Sequence, residues 1–187
     1  MNFSSSKFIF VRVPKTGTTS MIGCLPNLKW DLAGWVGDVN HIPLWFYKEK
    51  LPKDIYDNYF KFSFVRNPYD RAVSSYIYTR NWFNQNDPDK FDDDRLYDFK
   101  SWLNNLGSDH KYGLQYNFVQ DCDFIGKFEN LQEDFNIVCN KIGVPYQKLP
   151  HKNKSNRKHY REYYDDEIRS IVAKKYAKDI ETFGYEF

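Results

Sequence analysis

Three short apolar runs, each followed by a polar turn and then by helical spacing, set the tightest limit on what this chain can form. The runs are KFIFVRV at 7–13, FKFSFV at 60–65 and DFIGKF at 123–128. In the first, Phe8, Ile9, Phe10, Val11 and Val13 are nearly continuous, the pattern of a parallel strand covered on both faces. Behind the second, Asn67, Pro68 and Asp70 supply an N-cap, a first-position proline and a first-turn acid for a helix through RNPYDRAVSSYIYTR. Behind the third, Leu131, Phe135, Val138 and Ile142 draw an apolar line over a helix at 131–142. Asn130 and Glu133 stand at capping-box spacing before it, and Gly143 stops it. A last helix, 164–181, carries Ile168, Ile171, Val172 and Ile180 on one face and Asp165, Asp166 and Glu167 at its positive end. Further helices are expected at 18–25, 42–50 and 96–106, with irregular chain at 27–40 and an acidic loop at 84–95. Strands alternating with helices predict an α/β fold with a mainly parallel sheet and helices on both faces. Ligands of such sheets sit beyond the carboxyl ends of the strands, where the 14–20 turn and Arg66 both fall.

The bulk numbers exclude several classes. At 187 residues the chain is expected to form one domain, 1–187, with a real core. Lys and Arg number 27 against 25 acids, a formal charge of +2, which argues against a dedicated nucleic-acid binder. The charge is uneven, however. DPDKFDDDRLYD (87–98) is acidic, while HKNKSNRKHYR (151–161) is basic enough to serve one small polyanion. Asp92, Asp93 and Asp94 look like metal ligands on paper, but adjacent loop carboxylates are usually solvated. Cys24, Cys122 and Cys139 show no C-x-x-C spacing, which argues against a disulfide framework and for a reducing compartment. The run from Phe8 to Val11 is too short for a signal segment or a membrane span, so a soluble, cytoplasmic protein without a membrane segment is expected. Aromatics make up 19% of the chain, and Trp30, Trp35, Trp45 and Trp82 fall in weakly periodic segments where some of them suit a cleft for sugars or bases.

Two short constellations carry chemistry. In VPKTGTTS (13–20), Gly17 lets the backbone approach an anion closely, Lys15 adds a mobile charge, and Thr18, Thr19 and Ser20 add hydroxyls at a helix start. The G-x-x-x-x-G-K-[ST] spacing of nucleoside triphosphatases is missing. The plainer alternative is a strand-to-helix turn rich in capping residues. In VRNPYDRAVSSY (65–76), Arg66 closes a strand and can grip a phosphate through two parallel hydrogen bonds, with Ser74 two turns on to complete the grip. Each charge-assisted bond contributes about 1.5–3 kcal/mol, so a few of them decide between ligands with and without that phosphate. The alternative pairs Arg66 with Asp70 and leaves Ser74 on the helix surface.

Together, VPKTGTTS and FVRNPYDRAVSSY resemble the sulfotransferases that use 3′-phosphoadenosine 5′-phosphosulfate (PAPS). DFIGKFENLQEDF and the tail KNKSNRKHYREYYDDEIRSIVAKKYAKDIETFGYEF look like the carbohydrate-type, family 2 branch. The similar blocks cover 8–21, 60–80, 123–145 and 150–187, in that order. The resemblance implies a three-layer fold like that of the P-loop-containing nucleotide hydrolases. It implies that Lys15, Thr16, Gly17, Thr18 and Thr19 hold the 5′-phosphosulfate and that Arg66 and Ser74 hold the 3′-phosphate. Lys154, Ser155, Asn156 and Arg157 would close over the nucleotide. The reaction implied is in-line transfer of the sulfonate to an acceptor hydroxyl, on a carbohydrate, with the bisphosphate PAP as product. PAPS carries its own phosphate leaving group, so no metal is required, and Lys15 would stabilise charge at the leaving oxygen. The acceptor hydroxyl needs a base. His41, in GDVNHIPLWF, is the candidate, because a histidine between the two cofactor motifs has this role in related carbohydrate sulfotransferases, and an imidazole pKa of ~6.5 suits it. Asp38 would orient the ring or replace it. Against this stands a surface or capping His41, with His110, His151 and His159 as remoter candidates. Two rivals remain: an ATP-dependent kinase, which PKTGTTS does not fit in register, and a non-catalytic nucleotide- or RNA-binding module. The 27–60 and 83–120 stretches, where the acceptor would be recognised, match the family least.

Overall fold

In a computed structural model, residues 7–25, 41–86, 98–105, 113–150 and 157–187 are described below. In chain order the elements are β1 (Phe8–Val11), α1 (Thr18–Ile22), α2 (Leu44–Lys50), α3 (Lys53–Asn58), β2 (Phe60–Val65) and α4 (Pro68–Asn86). There follow α5 (Phe99–Asn105), α6 (Tyr116–Val119), β3 (Phe124–Lys127), a 3-10 turn Phe128–Asn130 and α7 (Leu131–Ile142). A 3-10 turn at Tyr160–Tyr163, α8 (Asp166–Lys175) and α9 (Ala177–Phe183) complete the order. The residues group into two compact units, Met1–Val65 with Asn117–Asn153 and Arg66–Tyr116 with Lys154–Phe187. The fold is mixed α/β.

The first unit is built on a parallel sheet in the order β1-β2-β3. Phe10 pairs with Phe62, and Phe62 with Phe124, so aromatic residues line up across all three strands. The Phe10 and Phe62 rings stack at 4.8 Å, and Phe64 meets Phe124 edge-on at 6.5 Å. Phe135, Val138, Cys139 and Ile142 of α7 join Phe10, Phe62 and Phe64 in one buried cluster. The opposite face of β2 carries Lys61 and Ser63, both buried, whose polar ends are satisfied locally. Ser63 Oγ donates to the Val11 carbonyl at 2.7 Å, and Lys61 Nζ to the Tyr59 carbonyl at 2.8 Å.

The second unit packs α4 against α5, α8 and the Tyr160–Tyr163 turn. Its core holds Tyr69, Val73, Tyr76, Phe99, Trp102, Leu103, Val172 and Tyr176. Asn67 starts α4 by accepting from the Tyr69 N–H at 3.0 Å, and Asp165 starts α8 by accepting from the Ile168 N–H at 2.7 Å.

Several expectations need correction. The final helix is not continuous: Tyr176, at φ −111° and ψ 23°, ends α8 and begins α9. α4 runs on to Asn86, past the point where the acidic loop was expected. Asn130 forms no capping box. The 3-10 turn before α7 already uses the Leu131 N–H on the Phe128 carbonyl, and Asp134 turns back to accept from the Lys127 N–H at 2.6 Å. α3 and α6 fall where no helix was expected. Among the described residues no helix is long and apolar enough to cross a membrane.

Candidate active site

In the first unit, the turn after β1 is wound tightly. Lys15 and Gly17 both lie in the left-handed region, at φ 68° and 79°. A long side chain is uncommon there, and such strain persists only where the surroundings impose it. Thr16, between them, is fully buried, and its hydroxyl donates to the Val13 carbonyl at 2.9 Å. The Thr16 side chain therefore closes the turn from inside. Thr18 and Ser20 are buried, and Thr19 is exposed. Gly17 is required twice over. Beyond its φ, a Cβ there would stand 2.9 Å from Leu131 Cδ2 and 3.3 Å from the Phe128 ring.

His41 comes to the same strand end. Its Nδ1 lies 3.0 Å from the Arg12 carbonyl oxygen, and its backbone is left-handed at φ 59°. A carbonyl only accepts, so Nδ1 carries the proton and Nε2 is the basic nitrogen of the neutral ring. Asp38, the expected orienting group, lies outside the described residues; the contact with the Arg12 carbonyl is what the structure shows at Nδ1. His159 caps the Tyr160–Tyr163 turn, with Glu162 returning the bond. His110 and His151 lie outside the described residues.

In the second unit, Arg66 is buried and donates through Nε and Nη2 to Asp70 Oδ2 at 2.8 and 2.6 Å. The pairing given as the alternative for Arg66 is therefore present. The same carboxylate also gathers Arg157, whose Nη2 donates to Asp70 Oδ1. Two of the residues expected at the nucleotide thus converge, although 91 positions separate them in the chain. Ser74 sits half-buried one turn beyond Asp70 on α4. Lys154, Ser155 and Asn156 lie outside the described residues, as do Asp92, Asp93 and Asp94.

Sequence reasoning missed two residues here. Gln115 is fully buried, and its amide accepts from the Arg66 N–H at 2.9 Å and donates to the Arg66 carbonyl at 2.8 Å. Asp179, also fully buried, accepts from the Gln115 and Tyr116 N–H groups at 2.9 and 2.8 Å. Burial pushes the Asp179 carboxyl above its ordinary pKa, while those two bonds and Arg71 pull the other way. No motif or periodicity marks either residue. Of the tryptophans singled out for a cleft, Trp45 and Trp82 are exposed, and Trp30 and Trp35 lie outside the described residues. Among the described residues no group of three or more His, Cys, Asp or Glu side chains is placed to hold a metal ion.

A parallel sheet thus carries a lysine-glycine turn after its first strand and an arginine directly after its second. The chain belongs to the sulfotransferase family, whose family model matches residues 3–186. It is similar to an uncharacterised protein of Archaeoglobus fulgidus, 33% identical over 105 residues, which are 56% of this chain and 84% of that protein. No solved structure matches the chain.

Proposed function

We propose that this protein is a PAPS-dependent sulfotransferase that moves a sulfonate to an acceptor hydroxyl on a carbohydrate, the whole chain acting as one domain with a P-loop-like, three-layer plan. The observation that carries the reading is the turn after β1, where Lys15 and Gly17 are both held left-handed around a buried Thr16. The family match over residues 3–186 supports it. PAPS would supply the sulfonate already attached to a phosphate leaving group.

The chain's own residues divide the rest of the work. Lys15 and the backbone of Thr16, Gly17, Thr18 and Thr19 bind the 5′-phosphosulfate, and Lys15 neutralises charge growing on the oxygen that leaves sulfur. Arg66 and Ser74 hold the 3′-phosphate. Arg157, with Lys154, Ser155 and Asn156, covers the nucleotide. Two guanidiniums against the single Asp70 carboxylate leave positive charge for a phosphate dianion. As the acceptor oxygen bonds to sulfur and the sulfur–phosphate oxygen bond breaks, the hydroxyl proton passes to His41 Nε2.

The test is transfer from radiolabelled PAPS to a panel of glycans, flavonoids, lipids and tyrosine peptides, with and without chelator. Chelator-resistant labelling of a glycan is expected. Labelling of peptides alone would remove the carbohydrate acceptor. No transfer at all, with magnesium-ATP bound more tightly than PAP, would overturn the reading. His41→Ala should lower turnover about 10²–10⁴-fold at saturating acceptor.

A further inference from the structure

Arg66 is pinned at both ends. Asp70 holds its guanidinium, and Gln115 holds the peptide groups on both sides of its Cα. The Gln115 amide faces the Arg66 backbone with its oxygen 2.9 Å from the N–H and its nitrogen 2.8 Å from the carbonyl. A neighbouring strand offers a residue this kind of two-point contact. Here one side chain supplies it at the first residue after β2. A single hydrogen bond would hold only one of the two peptide groups that flank the Arg66 Cα, whereas the pair fixes both and so the direction in which the side chain departs.

Gln115 is itself held. Both Asp179 oxygens accept backbone N–H groups, from Gln115 at 2.9 Å and from Tyr116 at 2.8 Å. The contacts span 49 and 64 positions of sequence and involve two side chains with no exposed surface. A buried polar path of this kind persists only when every member is satisfied, because each unmet group would carry its full desolvation penalty. Its far end is α9 and its near end is the backbone of the arginine assigned to the 3′-phosphate.

We propose that Gln115 and Asp179 are positioning residues that aim Arg66 at the 3′-phosphate, so that selectivity for a 3′-phosphorylated nucleotide depends on two residues that do not touch it. The inference rests on the reading of Arg66 given above. It separates two quantities, since a misaimed Arg66 weakens the 3′-phosphate contact and leaves recognition of the 5′ side intact.

The experiment is calorimetric titration of the full chain with PAP and with AMP, the same nucleotide lacking the 3′-phosphate. The variants are Gln115→Met, Asp179→Asn, Arg66→Ala and Arg66→Ala combined with Gln115→Met. Gln115→Met is expected to lower the ratio Kd(AMP)/Kd(PAP) about tenfold, the equivalent of one charge-assisted hydrogen bond, with AMP affinity held within about twofold. Asp179→Asn, which keeps the volume, is expected to lower the ratio in the same direction and decides the matter should Gln115→Met fail to fold. The combined variant is expected to lose no more than Arg66→Ala alone, because the two residues act in series. Equal weakening of PAP and AMP would mean general destabilisation and would overturn the positioning role while the nucleotide reading stands. An unchanged ratio in Arg66→Ala would overturn both.

Discussion

Lys15 holds a backbone conformation that suits glycine, and the role proposed for its ammonium group gives a reason for a lysine to occupy it. At φ 68° its Cβ crowds the following carbonyl, a strain of about 1–2 kcal/mol that glycine escapes. Glycine in turn loses about 0.5–1 kcal/mol through its freer unfolded chain. Lys15→Gly should therefore leave the thermal midpoint within about 4 °C of the parent while cutting transfer by about 10²–10³ at saturating donor. Scanning calorimetry beside a rate measurement checks both halves. The residue types of this turn are legible in the sequence, but the inward commitment of the Thr16 hydroxyl to Val13 is not, because a threonine in a turn faces either way. Arg66 shows the complementary limit. The phosphate role expected of it and its pairing with Asp70 look like rivals on paper; the pairing is present, and the same carboxylate also draws in Arg157. Cys122 makes a chemical prediction. Burial, with Asp123 and Asp121 adding to it, lifts its thiol from 9.0 to about 12. That leaves about a thousandfold less thiolate near neutral pH than an ordinary cysteine holds. Residue-resolved alkylation with iodoacetamide should find Cys122 nearly inert at about pH 8, with a rate still climbing above about pH 10.

β3 shows why strands of this sheet tolerate so little change. A Cβ on Gly126 would stand 2.5 Å from Phe64 Cε1 and 3.0 Å from Asp134 Cβ, so strand and helix leave room for hydrogen alone. Phe64 is fully buried and cannot swing aside without displacing its neighbours. Gly126→Ala should cost about 1–3 kcal/mol, the usual penalty for overpacking, read as a lower urea midpoint with an unchanged slope. β2 and α7 are legible to the residue, at Phe60–Val65 and Leu131–Ile142, because each has an unbroken periodicity and a clear stop. Gly143, left-handed at φ 70°, ends α7 as its position indicates. The break at Tyr176 carries no such mark. No glycine or proline stands there, and the apolar stripe of Ile168, Ile171, Val172 and Ile180 continues across it. The bend answers to packing, since Tyr176 is itself a buried member of the second unit's core. α3 and α6 span six and four residues, too few for a 3.6-residue period to register.

The aromatic excess is a property of the chain as a whole, and most of it has a structural home. Phenylalanines dominate the sheet of the first unit, while tyrosines with Trp102 and Phe99 fill the core of the second. Composition announces a surplus of rings without saying which pack and which face solvent, because a ring in a core and a ring on a surface are the same residue. The same holds for charge. Asp179 reads as one more acid on a helix, and only its contacts with Gln115 and Tyr116, more than 60 positions away, make it special. Its effect reaches the stability of the whole protein. Burial raises its carboxyl above the ordinary 3.8, against the pull of Arg71 and the two N–H groups. Native protein thus binds this proton more tightly than unfolded chain does. The contribution is full below the unfolded value and is lost as pH rises through the native one, so across mildly acidic pH this group makes stability fall as pH increases. Asp179→Asn removes the titration and loses one acceptor from the two backbone N–H groups. Urea midpoints of the two proteins taken from about pH 4 to pH 7 should therefore show the parent ahead at the acid end, with the gap narrowing steadily upward. A gap that widens with pH would mean that the two N–H bonds and Arg71 outweigh burial and that Asp179 is held as a stabilised anion.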